Sequence, residues 1–370
     1  MKASLLPILF CCLLTIACAQ RDTEVHTPQS LTYTTEVVVS DLAIPWGMVF
    51  LPDESMLITE KSGELIHFKD GKKQLVQGVP EVFLNGQGGL LDIELHPEYK
   101  KNGWIYFSYS APSADGESGN TSVMRARLEN NRLVDKEELY RASPDSDLGY
   151  HFGSRLEFDT ACNLYFSVGD RGNRDVNPQD ITRDCGKVYR IKDDGSIPAD
   201  NPFVGQPNAK VAIYSYGHRN PQGMVLNRQT GEIWVHEHGP RGGDEINIVR
   251  AGKNYGWPRI TYGINYSGTK ITDDTSLPGM EQPIHYWVPS IAPSGMAFVT
   301  SDRYPEWKGN LLVGSLVFAY LERLVLDGES VTYREKLFDG IGRVRNVRQG
   351  PDGYLYMAVE GEGILRIVAK

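Results

Sequence analysis

The sequence predicts an all-β protein: a single six-bladed β-propeller built from four-stranded antiparallel blades. Three observations predict this fold. A unit of two β-rich runs joined by a turn recurs six times along the chain. The 38 glycines and 19 tyrosines, with β-branched runs between turn signals, are typical of a turn-rich β protein. No stretch after the N-terminal segment has the length, caps and apolar period of a helix.

The six units predict the six blades in chain order. They occupy residues 46–59, 91–107, 155–168, 222–235, 294–313 and 344–359. In each unit a glycine or apolar lead-in is followed by a turn and a second β-rich run, as expected for two adjacent antiparallel strands. A third strand often follows, for example at residues 63–68 and 363–368. The spacing between units is roughly the 40–50 residues of a propeller blade plus loop insertions.

One further β-rich run, residues 35–39, stands before the first unit. We expect it to complete the last blade and close the ring. Radial stacking suits these units because none can bury both of its faces alone, and a closed ring limits exposed sheet edges. A β-sandwich or a pair of barrels is the alternative architecture.

The N-terminal residues predict export rather than a folded element. Lys2 precedes an apolar run at residues 5–16, and small residues follow it. The run is too short to span a bilayer, which needs roughly 20 residues, and its order is that of a secretory signal. We therefore expect a signal at residues 1–19, a linker at 20–34 and the propeller at 35–370. Residues 14–18 resemble a lipobox with Cys18 as the lipidated residue, and the alternative is cleavage near Ala19. The expected location is the periplasm or cell envelope.

The net charge limits the classes of partner, and the cysteine content bears on whether the fold contains a disulfide. The net charge of −9 argues against nucleic acid or an anionic membrane as a partner. No other apolar stretch is long enough to predict a transmembrane segment. Two cysteines, Cys162 and Cys185, lie inside the predicted fold. In an exported protein this pair predicts a disulfide, whereas two small buried side chains are the alternative.

Polar residues that no strand needs are concentrated in the connections between units. In a propeller the loops at one end surround the channel, so residues distant in sequence are expected to converge there. The connections concerned are residues 86–89, 150–153, 217–221 and 237–245, with Arg343 and Arg345.

Three motifs in these connections carry a family resemblance. They are HFGSRL at residues 151–156, GHRNPQG at 217–223 and EHGPRGGDEIN at 237–247. In this order the chain resembles the soluble PQQ (pyrroloquinoline quinone)-dependent aldose sugar dehydrogenases, which include the soluble glucose dehydrogenases. The resemblance extends from about residue 42 to residue 368.

The resemblance implies oxidation of aldose sugars at C1 to lactones, with PQQ as the cofactor. It implies that His151 is the general base, which takes the proton of the C1 hydroxyl while a hydride leaves C1 for the quinone. Histidine suits this role because its unperturbed pKa of ~6.5 leaves a neutral acceptor near pH 7. Without the resemblance, a lone histidine is more often a hydrogen-bonded structural group.

The same resemblance assigns five residues to the cofactor: Gln87, Arg219, Asn220, Arg343 and Arg345. It implies that Arg219 lies near the carbonyl that gains charge on reduction. Guanidinium groups suit the three carboxylates of PQQ because they present fixed donors. For the alternating arginines 343 and 345, the alternative is a solvated strand edge.

The resemblance also implies two calcium sites. The carbonyls of Gly239 and Pro240, with PQQ oxygens, would hold the catalytic ion, since calcium accepts such ligands in flexible geometry. Glu245 and the carbonyl of Tyr255 match a second, structural site. His236 and His238 flank this loop, and we interpret them as structural residues rather than metal ligands.

One position departs from the family pattern. A lysine usually follows Gly-Ser-Leu and contacts the cofactor, but here residues 314–316 are followed by Val317. An apolar side chain loses a charge-assisted contact of about 1.5–3 kcal/mol. Arg323 and Lys308 are candidates to replace that charge.

Two other functions stay open from the sequence. A ligand-binding propeller without redox chemistry is favoured by Val317 and opposed by His151, Arg219 and Asn220. A calcium-dependent lactonase is less consistent with the backbone-rich loop at residues 239–240. The implied partners of a dehydrogenase are an aldose sugar and an electron acceptor that the sequence does not name.

Overall fold

The computed structural model describes residues 25–26 and 33–370. Strand β1 (Val25–His26) precedes β2 (Tyr33–Val39). The strands of the first three blades then follow in chain order. Blade 1 contains β3 (Pro45–Phe50), β4 (Met56–Glu60), β5 (Leu65–Lys69) and β6 (Lys72–Leu75). Blade 2 contains β7 (Leu90–Leu95), helix α1 (Tyr99–Asn102), β8 (Ile105–Pro112), β9 (Gly119–Glu129) and β10 (Arg132–Arg141). Blade 3 contains β11 (Leu156–Phe158), β12 (Asn163–Val168), β13 (Lys187–Lys192) and β14 (Ile213–Tyr216).

The second half of the chain forms three more blades. Blade 4 contains β15 (Pro221–Asn227), β16 (Glu232–Glu237), β17 (Asp244–Ile248) and β18 (His285–Trp287). Blade 5 contains β19 (Pro293–Phe298), β20 (Leu311–Ser315), β21 (Leu321–Asp327) and β22 (Ser330–Leu337). Blade 6 contains β23 (Val344–Gln349), β24 (Leu355–Val359) and β25 (Gly363–Ala369), with β2 as its fourth strand. The predicted six-bladed propeller is confirmed.

Ring closure occurs where it was predicted. Strand β2 pairs antiparallel with β25, so that Tyr33 lies opposite Ala369 and Val37 opposite Leu365. The strand starts at Tyr33, two residues before the predicted start at residue 35. Strand β1 adds a fifth, parallel strand to blade 5 through β22. The predicted signal at residues 1–19, with Cys18, lies outside the described residues.

The middle strands explain why the sequence does not alternate between apolar and polar residues. Every residue of β4 and of β24 is buried. A blade is covered on both faces by its neighbours, so its central strands need apolar side chains on both sides. Between blades 5 and 6, for example, Trp307 and Leu312 pack in one cluster with Val347 and Leu355.

A buried arginine joins the blades at the channel axis. Arg155, which is 3% exposed, places Nη1 at 3.0 Å from Asp92 Oδ1. Its Nε donates to the carbonyl of Gln222 at 2.7 Å and its Nη2 to that of Arg345 at 2.9 Å. The guanidinium also lies 4.0 Å from the Trp46 ring centroid. These partners come from blades 1, 2, 4 and 6, so one side chain from blade 3 crosses the axis.

The predicted disulfide is wrong, because both cysteines are free in the described structure. Cys162 precedes β12 and Cys185 precedes β13, and these strands are antiparallel, with Asn163 opposite Lys192 and Val168 opposite Lys187. The cysteines therefore lie at opposite ends of a six-residue pairing, which at ~3.3 Å per residue exceeds the roughly 7 Å limit for bridged Cα atoms. Cys185 is buried and accepts a hydrogen bond from Asn120.

Helix is almost absent from the described residues. Within them, no helix is long and apolar enough to cross a membrane.

Candidate functional site

One end of the propeller collects the predicted site residues, and we call it the upper face. The first strand of each blade begins there, and the connection between the second and third strands returns to the same end. Gln87, His151, Arg219 and Arg343 lie in or next to the connections that lead into the first strand of a blade. Gly239 and Val317 lie in connections between the second and third strands of a blade. The fold therefore brings the predicted loops to one face, as expected.

His151 is held by a buried carboxylate that the sequence analysis missed. Its Nδ1 lies 2.6 Å from Asp170 Oδ1, and the Asp170 side chain is 1% exposed. The other oxygen, Oδ2, accepts a hydrogen bond from the Trp257 indole at 2.9 Å. The N–H of Gly172 donates to Oδ1 at 2.8 Å. The only sequence signal for Asp170 is its place in a Gly-Asp-Arg-Gly loop directly after a buried strand.

The surroundings keep His151 neutral and Asp170 charged. Burial lowers the pKa of His151, and the positive charge of Arg219 lowers it further, while Asp170 acts in the opposite direction. Burial acts to raise the pKa of Asp170, but His151 and Arg219 hold it below its usual range. A carboxylate on Nδ1 favours the tautomer with its proton on that nitrogen, which leaves Nε2 free to accept a proton.

Gln87 supports the backbone of His151. Its Oε1 accepts a hydrogen bond from the His151 N–H at 2.9 Å. The His151 backbone has a φ of 59°, in the left-handed region that few non-glycine residues adopt. The Gln87 side chain thus fixes the connection that presents the histidine.

Arg219 and Asn220 lie beside this pair. Arg219 Nη1 donates to the carbonyls of His238 at 3.0 Å and Gly239 at 2.8 Å, and its guanidinium lies 5.4 Å from the Trp257 ring centroid. Asn220 Oδ1 accepts the N–H of Gly153 at 3.0 Å. Its Nδ2 is buried and has no hydrogen-bond partner among the described residues.

A second buried carboxylate, also missed, fixes the Arg219 connection. Glu237 Oε2 accepts the Arg219 N–H at 2.5 Å, and Oε1 lies 2.8 Å from His218 Nδ1. Both side chains are nearly inaccessible to solvent. The position of the Arg219 backbone therefore depends on Glu237, the last residue of the strand that leads into the Gly239 loop.

Arg343 and Arg345 converge on one carboxylate, Glu360. Arg343 Nε lies 2.6 Å from Glu360 Oε2, and Arg345 Nε lies 2.9 Å from Oε1. Arg343 Nη1 also donates to the carbonyl of Leu316 at 2.9 Å. Arg345 is 9% exposed, so the alternative of a solvated edge is wrong for it, whereas the Arg343 side chain is 49% exposed.

Val317 lies at this rim and is 56% exposed. The two cations suggested as replacements for the family lysine are elsewhere. Arg323 binds Glu335 and Asn310 within blade 5. Lys308 binds Asp302 in the connection between β19 and β20, which is at the opposite end of the propeller. Neither residue restores the missing charge at Val317.

Three of the four residues predicted for the two calcium sites line one small cavity. Gly239, Glu245 and Tyr255 line it together with Arg219 and Glu237. Burial and the charge of Glu237 raise the pKa of Glu245. Within the described chain, no three His, Cys, Asp or Glu side chains form a metal-binding group. Pro240, next to Gly239, is buried.

An orphaned acceptor marks the same region. Asn247 Nδ2 donates to Glu245 Oε2 at 3.1 Å, but its buried Oδ1 has no donor in the part of the chain that the structure describes. Two carboxylates and an amide oxygen without a donor form a site that is short of positive charge.

Comparison with known proteins identifies the family. The family model described as Glucose / Sorbosone dehydrogenase matches residues 42–366. The aldose sugar dehydrogenase YliI of Escherichia coli is 44% identical over 337 residues, which is 89% of this chain and 90% of that protein. The crystal structure of the apo form of the soluble aldose sugar dehydrogenase of E. coli superposes with a TM-score of 0.88 at 42% identity, covering 91% of this chain and 100% of that one.

A more distant structure is that of the PQQ-bound aldose sugar dehydrogenase of Streptomyces coelicolor. It superposes with a TM-score of 0.74 at 25% identity and covers 93% of this chain and 100% of its own. The resemblance inferred from three loop motifs is confirmed over nearly the whole propeller. The chain belongs to the glucose/sorbosone dehydrogenase family, and the enzyme class predicted from its sequence, a sugar dehydrogenase, is confirmed.

Proposed function

We propose that this protein oxidises aldose sugars at C1 to lactones, with PQQ and calcium bound at the upper face. The observation that carries the proposal is the buried His151–Asp170 pair beside Arg219 and Asn220. It provides a neutral proton acceptor next to a fixed positive charge. The PQQ-bound structure of the S. coelicolor relative supports the choice of cofactor.

The residues present fit PQQ. Asn220 Nδ2 is a buried donor without a partner in the described chain, and an unpaired buried donor is costly. A carbonyl or carboxylate oxygen of the cofactor would satisfy it. Arg219 and Asn220 would then hold the quinone side. Arg343, which is half exposed at the rim, is available to the cofactor carboxylates.

The reaction divides between the cofactor and the chain. When bound, PQQ would supply a quinone able to accept the hydride of C1. Nε2 of His151 accepts the proton of the C1 hydroxyl, so that the C1–O bond becomes the lactone carbonyl. Asp170 orients the imidazole through Nδ1 and stabilises the positive charge that the ring gains. Arg219 places positive charge where negative charge develops.

Calcium would be held by backbone oxygen atoms. The carbonyl of Gly239 already accepts one hydrogen bond from Arg219, and a carbonyl oxygen has two lone pairs. Together with the carbonyl of Pro240 it suits a hard cation. The cavity with Glu245 and the orphaned Asn247 amide supports a second, structural ion, with the Tyr255 carbonyl as a further ligand.

The test is reconstitution of the purified protein after chelation. PQQ with calcium is expected to restore oxidation of an aldose panel by an artificial electron acceptor. PQQ alone, or calcium alone, is expected to restore little. Binding of PQQ is followed separately by titration. A protein that binds no PQQ at micromolar concentration with calcium present would overturn the proposal and favour the ligand-binding propeller.

Val317 provides a second test of the cofactor site. Val317→Lys is expected to tighten PQQ binding by roughly ten- to a hundredfold, because a charge-assisted hydrogen bond contributes about 1.5–3 kcal/mol. The exposed position means that the new ammonium loses little hydration if it makes no contact. Val317→Gln is the uncharged control. Equal PQQ affinity in all three proteins would show that the cofactor does not approach this rim.

We further propose that residues 1–19 direct export to the periplasm or cell envelope, with either lipidation at Cys18 or cleavage near Ala19. Mass spectrometry of the mature N-terminus from the native host tests both points.

A further inference from the structure

We infer that Lys61 is a positioning residue for the general base, which it holds in place through the connection that contains Gln87. The inference rests on the proposed role of His151. Lys61 lies in the turn between β4 and β5, which returns to the upper face. No sequence motif marks this residue.

Lys61 contacts the glycine-rich connection at residues 86–89. Its Nζ donates to the carbonyl of Gly86 at 2.9 Å and lies 3.5 Å from the carbonyl of Gly88. The ammonium therefore contacts the residues directly before and after Gln87. The main chain adds a further contact, because the N–H of Leu90 donates to the Lys61 carbonyl at 3.3 Å. A Cβ atom on Gly89 would lie 1.9 Å from that carbonyl, so only glycine permits this approach.

The glycine-rich connection in turn contacts His151. The N–H of Gln87 donates to the carbonyl of Gly149 at 2.6 Å, and the side-chain Oε1 accepts the N–H of His151. Gly86 has a φ of 57°, and a Cβ there would lie 2.2 Å from the Gly149 carbonyl. The two connections therefore fit closely, and a shift of one moves the other. His151 depends on this support because its own backbone is left-handed.

Lys61 and His151 have different electrostatic surroundings. Burial lowers the pKa of Lys61, the positive charge of Arg345 lowers it further, and Glu360 acts in the opposite direction. The charges that shift the pKa of His151 come from Arg219, Asp170 and Arg171. Removal of Lys61 should therefore change His151 through geometry rather than through direct electrostatics. Two carbonyl acceptors explain why a cation is needed, since an apolar side chain leaves both without this donor.

The test compares three variants of the full protein. Lys61→Met removes the ammonium, and Lys61→Arg keeps a cation that can bind the same two carbonyls. Lys73→Met is the matched control, because Lys73 also donates to two carbonyls, of Ser40 and Asp41, but lies in the outermost strand of its blade. His151 titration is measured by NMR of labelled histidine, with its signal assigned from His151→Asn.

In Lys61→Met we expect His151 to titrate closer to the ordinary histidine range, because a loosened connection exposes the ring to water. We expect kcat to fall about 10- to 100-fold, the scale associated with misplaced catalytic groups, while KM for the sugar changes less than about twofold. Lys61→Arg should restore both values and Lys73→Met should change neither. An unchanged His151 titration in folded Lys61→Met overturns the inference. This readout needs no turnover, so it stands apart from a failure of the dehydrogenase proposal.

Discussion

Replacing His151 by alanine is expected to lower sugar turnover by about 10²–10⁴-fold, which is the usual contribution of a general base. PQQ binding should persist, because the donors at Arg219 and Asn220 remain. His67→Ala is the matched control, since His67 hydrogen-bonds Ser55 and Asn131 away from the upper face. Turnover and PQQ titration are measured on the same preparations. Wild-type rates in the alanine variant would remove His151 from the mechanism.

The same assignment has a pH dependence. The base must be neutral to accept a proton, and burial together with Arg219 places the pKa of His151 below its usual value. Activity should therefore persist as the pH falls through ~6.5, where an ordinary histidine becomes protonated. It should decline only at lower pH. A kcat/KM profile that already falls by half above pH ~6.5 would contradict the assignment.

Replacing Arg155 by methionine is expected to cost about 3–5 kcal/mol of unfolding free energy, because Asp92 is left as a buried charge without its partner. The variant also loses two hydrogen bonds to carbonyls and the contact with Trp46. Denaturant unfolding measures the change. The double variant with Asp92→Asn should recover part of the loss, since it removes the uncompensated carboxylate.

The control for that experiment is an ion pair at the surface. Lys69 binds Asp53 at 2.7 Å, and both side chains are about half exposed. Exposed pairs contribute little, so Lys69→Met should remain close to wild type. If Arg155→Met is no less stable than Lys69→Met, the axial arginine does not hold the blades together.

The fold could be predicted from the sequence because the features that indicate it lie within short segments of the chain. Each blade repeats the same turn between β-rich runs. The run at residues 35–39 belongs to none of the six units, and in the structure it pairs with β25. The disulfide prediction failed for a related reason. Chain spacing does not reveal that Cys162 and Cys185 precede antiparallel strands and so lie at opposite ends of blade 3.

The site was predictable only where several residues form a motif. His151, Arg219 and Gly239 stand in recognisable loops, and the structure brings those loops together. Asp170 and Glu360 are single carboxylates in connections, and in sequence they do not differ from surface residues, while Glu237 stands at the start of a motif that does not reveal its contact with His218. Their importance comes from burial against a histidine or an arginine contributed by another segment. Lys61 acts through main-chain carbonyls, which a sequence does not display.

Because Arg155 crosses the axis, it affects how small molecules reach the site through the channel. Arg155 and Asp92 form part of the wall of the cavity at the opposite end of the channel. Through its hydrogen bonds to Asp92, Gln222 and Arg345, Arg155 lies across the channel axis at this cavity. Under the proposed function, the sugar enters, the lactone leaves and the electron acceptor approaches through the same opening. Sugar, lactone and acceptor then compete for one route to the cofactor.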